Sequence, residues 1–296
     1  MITKTILSFG FRRLKEYQPV TFEKTPVPVF KIGNGNYWVD CSVFHVLYEP
    51  MLVLVPFGIA VDAAVFQDTK IRIYDSRNPQ KMTAELGVSL FKSIAEENAN
   101  LCLFEVLEAN LNLSFLKELY LKRIYNLSLK GPNFMSVYNF DIYKKLAALF
   151  SFPKQVWLVS IPSPSGNQHF PIDLCGIAGD TVIVGVRNSN KNMGNVNIGE
   201  TFYISQAAAS DYDKIYTLGK FSNNENPIEK IETAETAFPD VICDYRKLVL
   251  EQKLPFENQT IYVCKTAAIV KLNDKKPLFH LHKIWLLDGK KHLKVD

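Results

Sequence analysis

The sequence predicts a mainly β protein with helices inserted near its middle. Three observations predict it. β-Branched and aromatic runs such as VPVFKIG, YWVDCSVFHVLY, VWLVSI, TVIVGVR and QTIYVCKTAAIVKLN are separated by Gly, Asn, Pro and Asp, the residues that end strands and make turns. Helical spacing is concentrated between residues 81 and 150, with one short further stretch near 210. With 47% hydrophobic and 12% aromatic residues in 296 positions, the chain can bury a sizeable core, which argues against disorder.

Residues 1–80 read mostly as strands, with GNGN (33–36) as a hairpin turn. The longest apolar stretch, MLVLVPFGIAVDAAVF (51–66), holds Pro56 and Asp62 and is too short to span a bilayer, so it is read as buried strands and no membrane partner is expected. From Lys81 to about Asn98, Leu86, Leu90 and Ile94 recur every four residues, which predicts a helix. LSFLKELYLKRIYNLSL (113–129) predicts a second helix, with Leu113, Leu116, Leu119 and Tyr120 on its apolar side. NFDIYKKLAALFSF predicts a third, opening at Asn139, with Pro153 just past its end. Compact strands follow: VWLVSI, DLCGIA, TVIVGVR and TFYIS. SDYDKIYTLG is a short helix begun by Ser210 or Asp211 and stopped by Gly219. Residues 220–238 form a polar, acidic surface loop. The last runs are strands, with a tight hairpin at Asp288-Gly289. The change of character near Phe150 divides an α+β half, 1–150, from a nearly all-β half, 151–296, whose short strands suit a small barrel.

A net charge of +4 without a dense basic block does not fit a dedicated nucleic-acid binder. The N-terminus has no long apolar run or small-residue cleavage site, so no signal peptide is read and a cytoplasmic location is expected. Five widely spaced cysteines without C-x-x-C are expected to be free thiols. The chain has no G-x-G-x-x-G and no P-loop, and Ser163 and Ser165 lack a nucleophile elbow, which leaves a hydrolase remote. Cys41 and His45, four apart on a strand, read as a buried pair. Trp38, Trp157 and Trp285 read as core. His280 and His282 alternate on a strand and share a face, but no local Asp, Glu or Cys completes a metal shell, so they are expected to line a pocket and no metal site is assigned.

The stretch VGVRNSNKNMGNVNIGETFYIS (184–205) begins and ends as strand, with a cationic, Asn-rich loop between. Two readings of the loop stay open. Asn favours tight turns on its own. Equally, Arg187 offers a fork, Lys191 a point charge, Ser189 a hydroxyl, and Asn188 and Asn190 amides, a donor set suited to a phosphate.

From about Lys154 to the end (154–296), the order QVWLVSI, PSGNQ, HFPIDLCGIA, VIVGVRNSNKN, TFYIS, SDYDKIYTLGK and the two closing strand runs resembles the flavin-reductase-like split-barrel family. In that family FMN lies in a groove between two barrels of a dimer. The resemblance implies a split β-barrel of the FMN-binding type, with the FMN phosphate held by Arg187, Asn188, Ser189, Asn190 and Lys191. It implies His280 and His282 beside the flavin ring, and Asp173, where the chain departs from the family pattern, is read as an acceptor for the flavin N3–H. It further implies NAD(P)H as hydride donor in a flavin-reductase-like oxidoreductase. No catalytic side chain is assigned, since the chemistry would be the cofactor's. The chain departs from the family where Phe170-Pro171-Ile172-Asp173 replaces small hydroxyl residues, which leaves a second reading: a non-enzymatic binding or interaction module that has lost the cofactor. An echo between FQDTKIRIYDSRNPQKM (66–82) and AGDTVIVGVRNSNKNM (178–193) suggests that the first half is itself a divergent split barrel with extra helices. Two tandem barrels would then form an internal pseudo-dimer, with Arg77 and Lys81 at a second anion site. Otherwise the first half is an unrelated α+β domain, and a homodimer would supply the groove.

Overall fold

The structure, a computed structural model, describes residues 17–21, 29–48, 50–57, 66, 68–75, 78–95, 100–128, 139–163, 167–218, 230–232, 236–282 and 293–294. A first strand, β1 (Tyr17–Thr21), precedes seven that form one antiparallel sheet: β2 (Val29–Asn34), β3 (Tyr37–Cys41), β4 (Phe44–Leu47), β5 (Leu52–Phe57), β6 (Lys70–Asp75), β7 (Asn78–Ala95) and β8 (Asn100–Leu111). Helices α1 (Phe115–Ser128) and α2 (Phe140–Leu149) lead to β9 (Lys154–Gln155). A second set follows: β10 (Trp157–Ile161), β11 (Gln168–Ile172), β12 (Cys175–Ala178), β13 (Thr181–Arg187), the one-turn helix α3 (Lys191–Gly194), β14 (Thr201–Ala207) and α4 (Tyr212–Leu218). After the small hairpin β15 (Lys230–Glu232) and β16 (Ala237–Pro239) come β17 (Ile242–Pro255), β18 (Gln259–Lys271), β19 (Phe279–His282) and β20 (Leu293–Lys294). Strands β20-β1-β19-β9 form a small sheet that ties the start of the described chain to its end.

The two seven-stranded sheets have one topology. Their orders are β3-β2-β6-β7-β8-β5-β4 and β11-β10-β14-β17-β18-β13-β12. Counted within each set, both read 2-1-5-6-7-4-3. The register agrees to the residue along the long hairpin. Ala84 pairs with Leu111 and Ala95 with Asn100; 160 residues later, Asp244 pairs with Lys271 and Pro255 with Thr260. The ladder is interrupted between Gly87 and Val88 and between Leu90 and Lys92, and again between Lys247 and Leu248 and between Leu250 and Gln252, the same two places. Each β-bulge inserts a residue and re-aims its strand, so two independent sheets have no reason to share both. The chain is thus a tandem pair of split barrels. The sequence echo is not the trace of this duplication, however. It matched β6 to β13, which hold the fifth and fourth places in their sets, whereas the counterpart of β13 is β5. Arg77 lies outside the described residues, and Lys81 is exposed on β7.

Strand alternation builds three apolar layers from this plan. Val53, Val55, Cys102 and Phe104 face the first barrel's core, which α2 closes with Leu146, Ala148 and Leu149. Their counterparts Val182, Val184, Tyr262 and Cys264 face the second core. The residues between them, Leu52, Leu54, Leu101 and Leu103 on one side and Ile183, Ile261 and Val263 on the other, meet in a shared seam. Strands buried on both faces need continuous apolar runs, which is why LVLV and VIV do not alternate. Each such side chain contributes roughly 1.5–3 kcal/mol by burial. Phe44 pairs with Leu54, which pairs with Leu103; Gly176 pairs with Ile183, which pairs with Val263. Phe44 and Gly176 are therefore counterparts, and they touch: a Cβ on Gly176 would lie 2.9 Å from that of Phe44. A pseudo-two-fold axis runs between them.

Three expectations are corrected. Residues 78–95 are strand β7, not a helix. Four is also an even number, so the spacing of Leu86 and Leu90 satisfies a strand face, and Val88 between them points inward too. Helix α1 forms, but Leu116 and Leu119 are exposed at 76% and 48%; it leans inward through buried Leu121. Trp38 is not core: it lies on the outer face of β3 with the Arg72 guanidinium 3.7 Å from its ring. The Asn139 cap is present, accepting from Ile142 N. Trp285, Gly219 and the Asp288-Gly289 hairpin lie outside the described residues.

Candidate ligand site at the seam

β4 ends in a bulge between His45 and Leu47, which turns the following residue, Tyr48, toward the second barrel. There the Tyr48 N–H donates to Gln259 Oε1 at 2.7 Å and its hydroxyl reaches Asp173 Oδ1 at 3.5 Å. Asp173 sits in the turn from β11 to β12, and His280 Nδ1 on β19 lies 3.4 Å from its other oxygen. His45 donates from Nε2 to the Leu47 carbonyl at 2.8 Å, so its Nδ1 is the acceptor for Lys154 Nζ at 2.5 Å. Lys154 enters from the connection between the barrels, with Nζ 3.9 Å above the Phe150 ring. Five titratable side chains from four separate segments thus converge where the barrels meet.

Burial sets their protonation. It pulls the Lys154 ammonium from 10.5 to about 7, opposed by the Asp173 charge. Burial, reinforced by Lys154, holds the His45 imidazole well below its ordinary value. Burial also pushes the Asp173 carboxyl upward, but the hydrogen bond to His280 and the electrostatic pull of His280 and Lys154 outweigh it, and the net shift is downward. The cluster therefore favours a neutral imidazole at His45 and an ionised Asp173. His45, Lys154 and His280 are buried, whereas the Asp173 side chain keeps 18% exposure and is the cluster's contact with the outside.

The 187–197 loop lies on the same flank. Arg187 pairs with Gln259 across β13 and β18, and Gln259 is the residue that holds Tyr48. The loop's amides are largely built into the fold. Asn188 donates to the Phe256 and Glu257 carbonyls and accepts from Thr260 Oγ1, clamping the β17–β18 turn. Asn190 caps α3 by accepting from Met193 N, whose side chain plugs the second core. Arg187, Ser189 and Lys191 are exposed, and among the described residues their side chains make no hydrogen bond or ion pair. These three fit a phosphate as donors, while the ionised Asp173 nearby suits an N–H donor and not the phosphate itself; the amide of Asn188 is already spent.

Of the residues singled out from sequence, the structure brings Asp173 and His280 into contact and sets the Arg187–Lys191 loop beside them. His282 is placed in β19, with its side chain outside the described residues. Sequence reasoning missed Lys154 and Tyr48. It paired His45 with Cys41, but the strand is interrupted at residues 42 and 43, and the two sit on different strands. Among the described residues no group of three or more His, Cys, Asp or Glu could hold a metal ion, and no helix is long and apolar enough to cross a membrane. The described cysteines are free. An open cleft of about 750 Å³ lies elsewhere, on β6–β8 around Lys70, Gly87 and Glu108, and holds none of the predicted residues.

The strand order and the paired cores define the class: a tandem split barrel. No family model matches the chain, and no curated protein matches it. Solved structures similar to it include flavin reductases and FMN-binding proteins. They include the styrene monooxygenase flavin reductase of Pseudomonas putida S12, at 14% identity over 45% of this chain and 90% of that one, with a TM-score of 0.39. The NADH:FAD oxidoreductase of Streptomyces globisporus C-1027 is similar at 10% identity over 47% and 88%, with a TM-score of 0.40. The FMN-binding protein of Thermus thermophilus, with bound p-hydroxybenzaldehyde, is similar at 14% identity over 44% and 82%, with a TM-score of 0.39.

Proposed function

We propose that the chain binds a flavin, FMN in the first instance, on the seam flank between a barrel of residues 1–150 and one of 151–296, and acts as a flavin-reductase-like oxidoreductase using NAD(P)H. One observation carries this reading: a cationic loop whose Arg187, Ser189 and Lys191 side chains are unengaged among the described residues is linked through Gln259 and Tyr48 to an ionised carboxylate at the junction of two barrels. Arg187 and Lys191 would take the phosphate, the first as a fork and the second as a point charge. Asp173 would accept a hydrogen bond from the ring, held in place by His280 and Tyr48. Bound flavin supplies the hydride chemistry; the protein's part is to bind, orient and shield the ring.

The test is titration of the purified chain with FMN, following quenching of flavin fluorescence. Saturable quenching is expected, with the double change Arg187→Ala, Lys191→Ala weakening it by about tenfold or more. Absence of quenching would favour the second reading, a non-enzymatic interaction module, for which the wholly engaged amide of Asn188 speaks. Quenching without NAD(P)H oxidation would keep the flavin and remove the reductase activity.

A further inference from the structure

A two-fold seam has two flanks, and the register says what stands at each. His45 pairs with Val53, which pairs with Phe104; Ile177 pairs with Val182, which pairs with Cys264. Phe104 and Cys264 are 160 residues apart, so Ile177 is the counterpart of His45. Leu47 pairs with Leu52 and Ala178 with Thr181, and these partners face Glu105 and Lys265, again 160 apart. Gly179 is thus the counterpart of Tyr48. Ile32, paired with Ile71 and through it Leu86, corresponds to Val159, paired with Ile204 and through it Arg246. Their other partners, Val39 and Phe170, correspond as well; counted from them, Ser42 falls opposite Asp173, in a turn one residue shorter than its counterpart in the second barrel.

The exchange is one-sided in chemistry. Where one flank has an imidazole, a phenol and a carboxylate, the other has Ile177, Gly179 and Ser42, none of which titrates in the ordinary range. Lys154 and His280 come from β9 and β19, strands of the small sheet that stand outside both seven-stranded sets. A symmetric assembly would build both flanks alike; the fused chain has let them part.

We infer that the flanks have divided their work: the flank of Tyr48 and Asp173 receives the ligand, and the flank of Ser42 and Gly179 serves only as scaffold, so that one chain binds one flavin and not two. This rests on the flavin reading above. Isothermal titration of the full chain with FMN tests both. A stoichiometry of one per chain is expected. A stoichiometry of two would overturn the division and leave the flavin reading standing, whereas no binding by either heat or fluorescence would remove the flavin reading and this inference with it. Two substitutions locate the site. Asp173→Asn is expected to weaken FMN binding by about tenfold or more, since the ring loses its ionised acceptor. Ser42→Ala is expected to leave affinity within about twofold. Equal losses in the two variants would show that both flanks bind, and a loss in Ser42→Ala alone would show that the assigned flank is the wrong one. Should Asp173→Asn fold poorly, Tyr48→Phe, which keeps the ring and removes only the hydroxyl, carries the same expectation of weakened binding.

Discussion

Lys154 carries an ammonium group into the interior beside a histidine that accepts from it, and the arrangement fixes a pH signature. Its folded value of about 7 lies below the ordinary 10.5. Between those values the unfolded chain holds a proton that the folded chain has released, so stability rises with pH across that window, by an amount on the order of a few kcal/mol. Urea unfolding at pH 7 and near pH 9.5 should show a larger gain for the native chain than for Lys154→Met; equal gains would mean that Lys154 is not the group responsible. Asn188 makes a second residue-level case. Its side chain bridges the loop to the β17–β18 turn with three hydrogen bonds, so Asn188→Ala should cost about 1–3 kcal/mol in thermal unfolding even without ligand. Asp173 and His280 could be singled out in the sequence because a carboxylate and a histidine fell on strands of a resembling pattern. Lys154 could not: a buried lysine runs against the usual partition, and its partner His45 is distant in sequence.

Between elements, β4 approaches β13 closely. A Cβ on Gly185 would stand 1.8 Å from the Val46 carbonyl oxygen, a backbone atom with little room to yield. Gly185→Ala should therefore push the barrels apart and destabilise the protein by about 1–3 kcal/mol or more, read as a fall in Tm. Gly194→Ala, where nothing lies within 4 Å of the added carbon, should change stability by less than about 0.5 kcal/mol. The strands of the second half were legible because β-branched runs between turn residues announce them. β7 was not, since leucines four apart satisfy a helix and a strand alike and only the neighbouring ladder decides. The duplication was legible as an idea but not as an alignment. What the copies share is the inward or outward aspect of each position and the sites of their bulges, and different residues satisfy both. His45 and Ile177 occupy one such position with unlike chemistry, and no short match could reveal that they correspond.

At the scale of the molecule, the seam already occupies the face through which each barrel meets another. Buried leucines and isoleucines from both sheets fill it, and the two halves arrive on one chain at high effective concentration. Light scattering at micromolar concentration should give the mass of one chain; a mass of two would mean that some further surface pairs. The flank assignment depends on this economy, since a second copy docked on the outer strands would add no residue to the Tyr48 side.

The contact between Phe44 and Gly176 limits what the halves can do when separated. Two copies of the first half would bring phenylalanine against phenylalanine on the axis, and two copies of the second would leave a hole where a ring should be. Co-expressed as separate polypeptides, the halves should choose each other and shun their own kind, as a bolt takes only its nut. Any re-engineering of the molecule into a symmetric dimer would have to begin at that one place.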